Sequence, residues 1–318
     1  MITTVELLQP VLLKDKAVLR DVDWWLSVMG RPNGWHYDLD IAWILAKLEA
    51  ANIYPGQTVL DAGAGLGVMQ YVLASRGYNV ISLDFARRAP PSRARGIFRI
   101  NVKEGGAFTY THEYMKHMIF DESSREAATL KCGFLRKAGD WRNWTFYLSR
   151  AREIVQGAIA NAIEKTKDHR KFGVIEFQRA SFHDIPLSSG ACDAAVSVSA
   201  IEHADKDLLP DVVKELSRVV KGGGPVLLTT SATDAKHDVF HEPTHGWCFS
   251  SDTLASLFDT HVDFSGFSRT ERELLKDPLL WSRMHSSYRR RGGLGLFPSR
   301  AINRLPYLPV GIQLRAAP

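Results

Sequence analysis

The stretch from Val59 to Gly67 constrains the fold more than any other part of the chain. It reads Val-Leu-Asp-Ala-Gly-Ala-Gly-Leu-Gly, an apolar run that ends in an acid and continues into alternating glycines. Residues 68–74 behind it have the composition of a helix. A buried strand that turns tightly into a helix through glycines is typical of nucleotide sites, because glycine lets a ligand approach the backbone closely. We therefore predict that the bare N–H groups of this turn bind a nucleotide-like ligand.

The spacing of the glycines distinguishes two classes of nucleotide site. A dinucleotide fingerprint, Gly-x-Gly-x-x-Gly, would need a glycine at position 68, where the chain has Val68. A second apolar run over residues 79–84 ends in Asp84. An acid at the end of that neighbouring strand can accept hydrogen bonds from both ribose hydroxyls of a nucleoside.

Three later segments continue the same alternation of strands and helices. Residues 191–203 read as a strand that runs into a loop, residues 208–220 as an amphipathic helix, and residues 225–230 as another buried strand. With the Asp-x-Gly-x-Gly-x-Gly turn, this order resembles the class I S-adenosylmethionine-dependent methyltransferases, notably their broad type 11 group. The resemblance covers residues 57–84 and 173–267.

The resemblance implies an α/β, Rossmann-like fold: a mostly parallel, seven-stranded sheet with helices on both faces. It implies S-adenosyl-L-methionine as cofactor. The family's adenine-contacting acid would fall on Ser181, so either Asp184 replaces it or the Ser181 hydroxyl bonds the adenine amino group. The cofactor-binding residues that the resemblance implies are Asp61, Ala62, Gly63, Ala64, Gly65, Asp84, Phe85, Ser181, Phe182, Asp184 and Ser199.

The resemblance also divides the chain. About eighty-five residues separate the second and third strands, where the family usually has a single helix, and we expect this basic insertion to be a helical cap over the active site. Residues 310–314 are predicted to be the last, antiparallel strand of the sheet. The expected division is an N-terminal helical or lid segment (1–56), a cofactor-binding core (57–85 and 173–270), the inserted cap (86–172) and a basic C-terminal segment that completes the sheet (271–318).

The N-terminal segment is rich in tryptophan. Four of the eight tryptophans precede residue 50, and we expect them to pack a helix through residues 41–48 onto the core. Asp38 or Asp40 is predicted to cap that helix at its N-terminus. In a second interpretation, His36 and Tyr37 cover the methionine end of the cofactor.

Composition and charge limit the other possibilities. No apolar run reaches the ~18 residues of a membrane span, no secretory signal is evident, and three scattered cysteines fit neither a disulfide framework nor a zinc site. These features predict a reducing, cytoplasmic setting. The net charge is −3 over residues 1–85 and −7 over 173–270, but +9 over 86–172 and +6 over 271–318. The basic segments favour an anionic partner or a solvated surface.

Histidines supply the expected catalytic chemistry. The spacing of His237, His241 and His245 would suit a metal on one helical face, but Pro243 interrupts such a helix, so no metal site is predicted. A hydroxyl that accepts a methyl group must lose its proton, and histidine suits that role. We predict that one of His203, His241 and His245 is the base.

The predicted function is O-methylation of a small polar or anionic acceptor, such as a sugar, a glycan or a natural-product intermediate. Three alternatives remain. The first is an RNA methyltransferase, whose binding would fall steeply with salt. The second is an enzyme of lipid-linked glycans, held at an anionic membrane surface by residues 289–291. The third is a non-catalytic protein that binds S-adenosylmethionine. The sequence does not determine the oligomeric state.

Overall fold

The strands and helices come from a computed structural model that describes residues 3–31, 33–86, 88, 90–103, 144–242, 244–290 and 304–316. The strands are β1 (Thr4–Leu7), β2 (Thr58–Ala62), β3 (Asn79–Asp84), β4 (Arg99–Lys103), β5 (Val174–Arg179), β6 (Ala194–Val198), β7 (Pro225–Ala232), β8 (Val239–His241), β9 (Gly246–Cys248) and β10 (Leu308–Arg315). The helices are α1 (Lys16–Met29), α2 (Tyr37–Ala50), α3 (Met69–Ser75), α4 (Trp144–Glu164), α5 (Leu209–Val219), α6 (Ser251–Phe258), α7 (Phe267–Leu275) and α8 (Pro278–Arg290).

The main sheet of the described residues has eight strands in the order β1-β10-β7-β6-β2-β3-β5-β4. The strands from β2 to β7 run parallel, while β10 lies antiparallel between β7 and β1. The predicted mostly parallel α/β fold is confirmed, and the strand predicted over residues 310–314 lies inside β10. The sheet has eight strands rather than the expected seven, and β1 and β4 are its two edge strands.

The crossovers place helices on both faces of the sheet. The chain moves from β2 through α3 to β3 in one direction, and from β6 through α5 to β7 in the other. Because parallel crossovers are right-handed, opposite directions bring their helices to opposite faces. The resulting core is continuous and includes fully buried side chains of β2, β3, β6 and β7.

Helix α2 packs on the sheet through tryptophan, as the sequence predicts. The Trp43 ring lies so close to β10 that a Cβ at Gly311 would be 2.4 Å from its Cε2 atom. The predicted helix cap is wrong: His36 occupies the cap position and makes no side-chain cap hydrogen bond. Asp38 is instead fully buried and accepts hydrogen bonds from Asn33 Nδ2 at 3.0 Å and from Arg283 Nε at 2.8 Å. Asp38 therefore pairs with an arginine that is distant in the sequence and does not cap the helix.

The segment between β3 and β5 contributes the edge strand β4 and the helix α4. Helix α4 packs on α1, where Asn161 Nδ2 donates to the Val28 carbonyl at 3.3 Å and Trp24 Nε1 donates to Glu164 Oε2 at 2.7 Å. Residues 104–143 lie outside the described residues, so the predicted cap over the active site stays a prediction. Among the described helices, none combines the length and the apolar character needed to cross a membrane.

Candidate functional site

The order of the strands creates a crevice at the carboxyl end of β2. Strand β2 lies between β3 and β6, and the chain leaves it toward β3 before it returns to form β6 on the other side. Open α/β sheets bind ligands at such a switch point, outside the carboxyl ends of the strands. The predicted cofactor-binding residues fall at the carboxyl ends of β2 and β3 and in the segments that follow β2, β3, β5 and β6.

The glycine turn after β2 has the expected shape but not the expected donors. Gly63 and Gly65 have φ angles of +70° and +48°. The N–H groups of Gly63 and Ala64 both donate to the Leu83 carbonyl oxygen, at 2.9 and 3.1 Å, and Gly65 N–H donates to Asp84 Oδ2 at 2.7 Å. The prediction of bare N–H groups is wrong for these three residues, because the turn folds back onto the end of β3 and uses its acceptors.

Close packing explains why glycine is needed at position 63. A Cβ there would lie 2.6 Å from the Ala200 Cβ and 3.7 Å from Phe182 Cε1. Side chains that follow β5 and β6 therefore meet the turn that follows β2. These contacts bring the predicted residues Gly63 and Phe182 to one place, with Ser199 adjoining Ala200 in the chain.

Asp84 is held rigidly at the edge of the crevice. Its side chain is buried, Oδ2 accepts from Gly65 N–H, and Oδ1 accepts from Ala86 N–H at 2.8 Å. A carboxylate oxygen can accept more than one hydrogen bond, so each oxygen retains capacity for a hydroxyl donor. The arrangement fits the ribose of a nucleoside. The adjacent Phe85 is partly buried, and its carbonyl oxygen accepts from Arg179 Nε at 3.1 Å.

Arg88 supports the glycine turn, a role that the sequence does not predict. Its guanidinium donates to the Gly65 carbonyl at 3.0 Å, to Ser82 Oγ at 3.0 Å and to the Ser82 carbonyl at 2.8 Å. The same group lies 5.2 Å from the centre of the Phe177 ring. Its sequence context, one basic residue within a basic insertion, gives no signal for this position.

Asp61 lies beneath the turn and is 2% exposed. Burial raises the pKa of its carboxyl to about 7, against the opposing effect of the nearby Arg88 guanidinium; the charge of Asp84 adds to the increase. Asp61 is therefore part of the buried support of the turn. Ala62, the last residue of β2, is likewise buried.

In the segment after β5, the two residues considered for the adenine contact, Ser181 and Asp184, differ in burial. Ser181 is buried, and its hydroxyl is 2.6 Å from His183 Nδ1. The Asp184 side chain is exposed, while its N–H donates to the Ser181 carbonyl at 3.2 Å. Of the two, Ser181 is the one that adjoins Phe182 on the crevice side.

Ser199 begins a buried polar cluster after β6. Its φ angle of +49° is strained for a non-glycine residue. Its N–H donates to the Thr229 carbonyl at 3.1 Å, and its hydroxyl donates to Glu202. Glu202 is buried and also accepts from Thr230 Oγ1 at 3.0 Å. Glu202 is not among the site residues that the sequence predicts.

A pocket opens beside this cluster. It is a small pocket that opens to solvent. Its walls come from the start of α2, the loop after β6, the end of β7 and the segments around Thr244 and Tyr307. We call it the acceptor pocket; its lining residues are Gly34, Trp35, His36, Tyr37, Ser199, Glu202, His203, Ser231, Thr244 and Tyr307.

The three predicted catalytic histidines have different positions. His203 lines the acceptor pocket, and its Nδ1 is 3.0 Å from the His245 carbonyl oxygen. Because a carbonyl only accepts, Nδ1 carries the hydrogen, and in the neutral imidazole Nε2 then has the lone pair. His241 contacts two residues of the pocket lining. Its ring centre is 5.4 Å from that of Tyr307, and its Nδ1 is 2.7 Å from Thr244 Oγ1.

The segment that holds His241 and His245 is a β-hairpin rather than a helix. Strands β8 and β9 pair antiparallel, with His241 opposite Gly246. The imidazoles of this segment therefore do not share a helical face. Between the strands, His245 has a φ angle of +51° and presents its carbonyl to His203.

Comparison with known proteins gives one family match. The family model described as "Methyltransferase domain" matches residues 132–228, about three tenths of the chain, a range that includes β5 and β6 but not the glycine turn. A search of curated proteins finds no match.

Several solved structures are similar at low sequence identity. The [4+2]-cyclase SpnF shares 14% identity over 94% of both chains, with a TM-score of 0.49. The geranyl diphosphate C-methyltransferase of Streptomyces coelicolor A3(2) shares 13% identity over 87% of this chain and 77% of its own, with a TM-score of 0.41. A Leishmania major S-adenosylmethionine-dependent methyltransferase shares 12% identity over 98% of this chain and 86% of its own, with a TM-score of 0.42.

Proposed function

We propose that this chain, which matches a methyltransferase domain over residues 132–228, is a class I S-adenosylmethionine-dependent methyltransferase and methylates a hydroxyl oxygen of a small polar molecule bound in the acceptor pocket. The observation that carries the proposal is a shared wall. Ala200 packs against Gly63 of the glycine turn, and its neighbours Ser199, Glu202 and His203 line the acceptor pocket. A single turn of backbone therefore separates the nucleotide crevice from the pocket.

The crevice residues account for cofactor binding. Asp84 would accept the ribose hydroxyls, and Ser181 and Phe182 would contact the adenine; Asp84 already holds the turn through Gly65 N–H and Ala86 N–H, and all three side chains are buried. When bound, S-adenosylmethionine supplies a methyl group on a sulfonium sulfur, which is a good leaving group. The protein then contributes mainly alignment of the nucleophile, which is worth ~7–11 kcal/mol in well-oriented intramolecular reactions.

A hydroxyl acceptor also needs a group that takes its proton. Of the three predicted histidines, His203 is the one that lines the acceptor pocket, with its Nε2 lone pair retained. His241 contacts the pocket residue Tyr307 through its ring, and His245 contributes a carbonyl group. The pocket lining thus contains two imidazoles, those of His36 and His203, and an imidazole is suited to general base catalysis.

The lining of the acceptor pocket favours a neutral polar acceptor over an anion. Its described residues include hydroxyl groups, imidazoles and one carboxylate, but neither lysine nor arginine. Sugars and phenols have the hydroxyl groups that such a lining can hydrogen-bond. The predicted anionic acceptor would depend on the basic segments, parts of which lie outside the described residues.

A panel of acceptors tests this proposal. The protein would be incubated with methyl-labelled S-adenosylmethionine and with methyl glycosides, simple phenols, aliphatic amines or RNA. We expect label to appear in a methyl ether of a glycoside or phenol. Transfer to RNA or to amines alone would contradict the proposal. Tight binding of S-adenosylhomocysteine without transfer to any hydroxyl compound would also contradict it and would favour a non-catalytic binding protein.

A further inference from the structure

A buried histidine–aspartate pair lies in the wall of the acceptor pocket. His36 Nδ1 is 2.7 Å from Asp40 Oδ2, one helical turn further along α2. The two residues are 2% and 0% exposed. His36 nevertheless lines the pocket opposite the loop that carries Ser199, Glu202 and His203. The pair is therefore buried, while His36 forms part of the pocket wall.

Aromatic rings fix the orientation of the His36 imidazole. The rings of Trp35 and Tyr37 approach it edge to face at 5.0 Å, and the Tyr307 ring does so at 5.5 Å. Tyr307 is held in turn by Trp35, whose Nε1 donates to the Tyr307 hydroxyl at 3.1 Å. A ring confined in this way keeps one edge toward Asp40 and presents the other to its surroundings.

Asp40 is committed to this histidine. Its Oδ2 faces His36 Nδ1, and its Oδ1 has no hydrogen-bond partner among the described residues. Burial raises the pKa of the Asp40 carboxyl, and His36 opposes that increase. The other charged groups that act on Asp40 are Glu202, across the pocket wall, and Asp38, which is itself paired with Arg283 of α8.

The two imidazoles of the acceptor pocket differ in what supports them. His203 Nδ1 meets a neutral carbonyl, whereas His36 Nδ1 meets a carboxylate. A carboxylate at Nδ1 fixes the tautomer with a lone pair on Nε2, and it stabilises the imidazolium that forms when Nε2 takes a proton. His36 is therefore the better equipped base.

We propose that His36, oriented by Asp40, is the general base of the methyl transfer, and that His203 hydrogen-bonds the acceptor. This proposal rests on the proposed function. The acceptor hydroxyl gives its proton to His36 Nε2, and the oxygen uses the freed electron pair to bond the methyl carbon. The former carbon–sulfur pair remains on sulfur, so the products are a methyl ether and S-adenosylhomocysteine. The imidazolium then releases its proton to water.

The first test needs neither cofactor nor acceptor. Nitrogen-15 NMR of histidine-labelled protein reports which ring nitrogen of His36 carries the hydrogen. We expect Nδ1–H in the wild type and a changed tautomer in Asp40→Asn, whose amide can donate to Nδ1. The signals of His203 should not change. An Nε2–H tautomer of His36 in the wild type would overturn the proposal.

The second test uses the hydroxyl compound that the acceptor panel identifies. We expect His36→Gln to lower kcat by about 10²–10⁴-fold while calorimetry shows unchanged affinity for S-adenosylhomocysteine. Asp40→Asn should move the ascending limb of the pH–kcat profile to lower pH, because the imidazolium loses its carboxylate. Asp40→Glu should restore part of the activity, which a purely structural role for Asp40 does not predict.

A matched control comes from another histidine–carboxylate pair. His169 Nε2 is 3.2 Å from Glu164 Oε1, in the region of α4 and away from the acceptor pocket. His169→Gln should keep the wild-type kcat, and circular dichroism should show that every variant is folded. If the wild type methylates a hydroxyl and folded His36→Gln does so equally fast, the base assignment fails alone. If the wild type methylates no hydroxyl compound, the proposed function fails, while the tautomer still reports on the pair.

Discussion

Gly63 and Ala200 are in such close contact that a Cβ at position 63 would lie 2.6 Å from the Ala200 Cβ. This contact joins the glycine turn after β2 to the loop after β6. The nucleotide crevice and the acceptor pocket thus share one layer of residues, and a change in that layer should affect both.

Gly63→Ala should therefore damage cofactor binding. The added methyl group meets Ala200, and the residue keeps a φ angle of +70°, which costs roughly 1–2 kcal/mol for a residue other than glycine. We expect lower stability in urea and a loss of S-adenosylhomocysteine affinity measured by calorimetry.

Gly56→Ala separates the effect of the contact with Ala200 from the effect of a positive φ angle. Gly56 has a φ angle of +92°, but a Cβ there meets nothing within 4 Å. This variant should lose stability through backbone strain while it keeps its affinity for S-adenosylhomocysteine. Equal losses of affinity in the two variants would show that contact with Ala200 is irrelevant.

Asp84→Asn should weaken cofactor binding by disturbing an acceptor that serves both the turn and the ligand. The amide keeps one acceptor oxygen, so one of the hydrogen bonds from Gly65 N–H and Ala86 N–H is lost. Hydrogen bonds to charged groups contribute about 1.5–3 kcal/mol, so we expect the Kd of S-adenosylhomocysteine to rise by about 10- to 100-fold.

The control for Asp84 is a carboxylate that also accepts a backbone hydrogen bond, but at the opposite end of β2. Asp193 Oδ2 accepts from Thr58 N–H at 2.8 Å, and Oδ1 pairs with Lys221. Asp193→Asn should reduce stability without changing the Kd. A Kd for Asp84→Asn equal to that of the wild type would remove Asp84 from the cofactor site.

Asp61 should make the protein less stable as the pH rises. Burial raises its pKa in the folded state from 3.8 to about 7, so its contribution to stability is fully present below pH 4 and is lost as pH rises through 7. At ~1.4 kcal/mol per pKa unit, the loss is at most about 4 kcal/mol.

The measurement compares the unfolding free energy of Asp61→Asn and of the wild type between pH 4 and 7. The difference isolates Asp61, because carboxylates with shifted pKa values elsewhere, such as Asp38 and Asp193, are common to both proteins. We expect the variant to gain stability relative to the wild type as the pH rises. Parallel curves would show that Asp61 does not titrate in this range.

Arg88→Met should loosen the glycine turn. Methionine preserves much of the contact with Phe177 but removes the donors to the carbonyl groups of Gly65 and Ser82. We expect a loss of about 1.5–3 kcal/mol in unfolding free energy together with weaker binding of S-adenosylhomocysteine. Arg99→Met, which removes a hydrogen bond to the Phe172 carbonyl at the far edge strand β4, should leave binding unchanged. The same binding loss in both variants would exclude a specific role for Arg88.

The sequence predicted the strands and the turn because local patterns encode them. Strand β3 coincides with the apolar run at residues 79–84, and α3 begins one residue after the predicted start of its helix. The glycines of the turn predict a tight bend whatever surrounds them in the fold. What the local pattern could not show is which acceptors satisfy the turn, because Leu83 and Asp84 reach it only through the pairing of β2 with β3.

Residues that act through distant contacts were missed or misassigned. Asp38 and Asp40 looked like helix caps, but Asp38 pairs with Arg283, 245 positions away, and Asp40 is buried against His36. In the sequence, Glu202 has the context of an ordinary loop residue. In the structure it accepts hydrogen bonds from hydroxyl groups of β7. The edge strands β1 and β4 also depend on distant parts of the chain, because β1 pairs with β10 and β4 pairs with β5.

The acceptor pocket draws its wall from positions as far apart as His36 and Tyr307, whereas β2, β3, β6 and β7 around the crevice are complete by residue 232. Synthesis proceeds from the N-terminus, and the earlier parts of a chain tend to fold first. We therefore expect a nascent chain to form the crevice at the end of β2 before the acceptor pocket is complete. Under the proposed function, Tyr307, which directly precedes β10, would then complete the pocket for the second reactant.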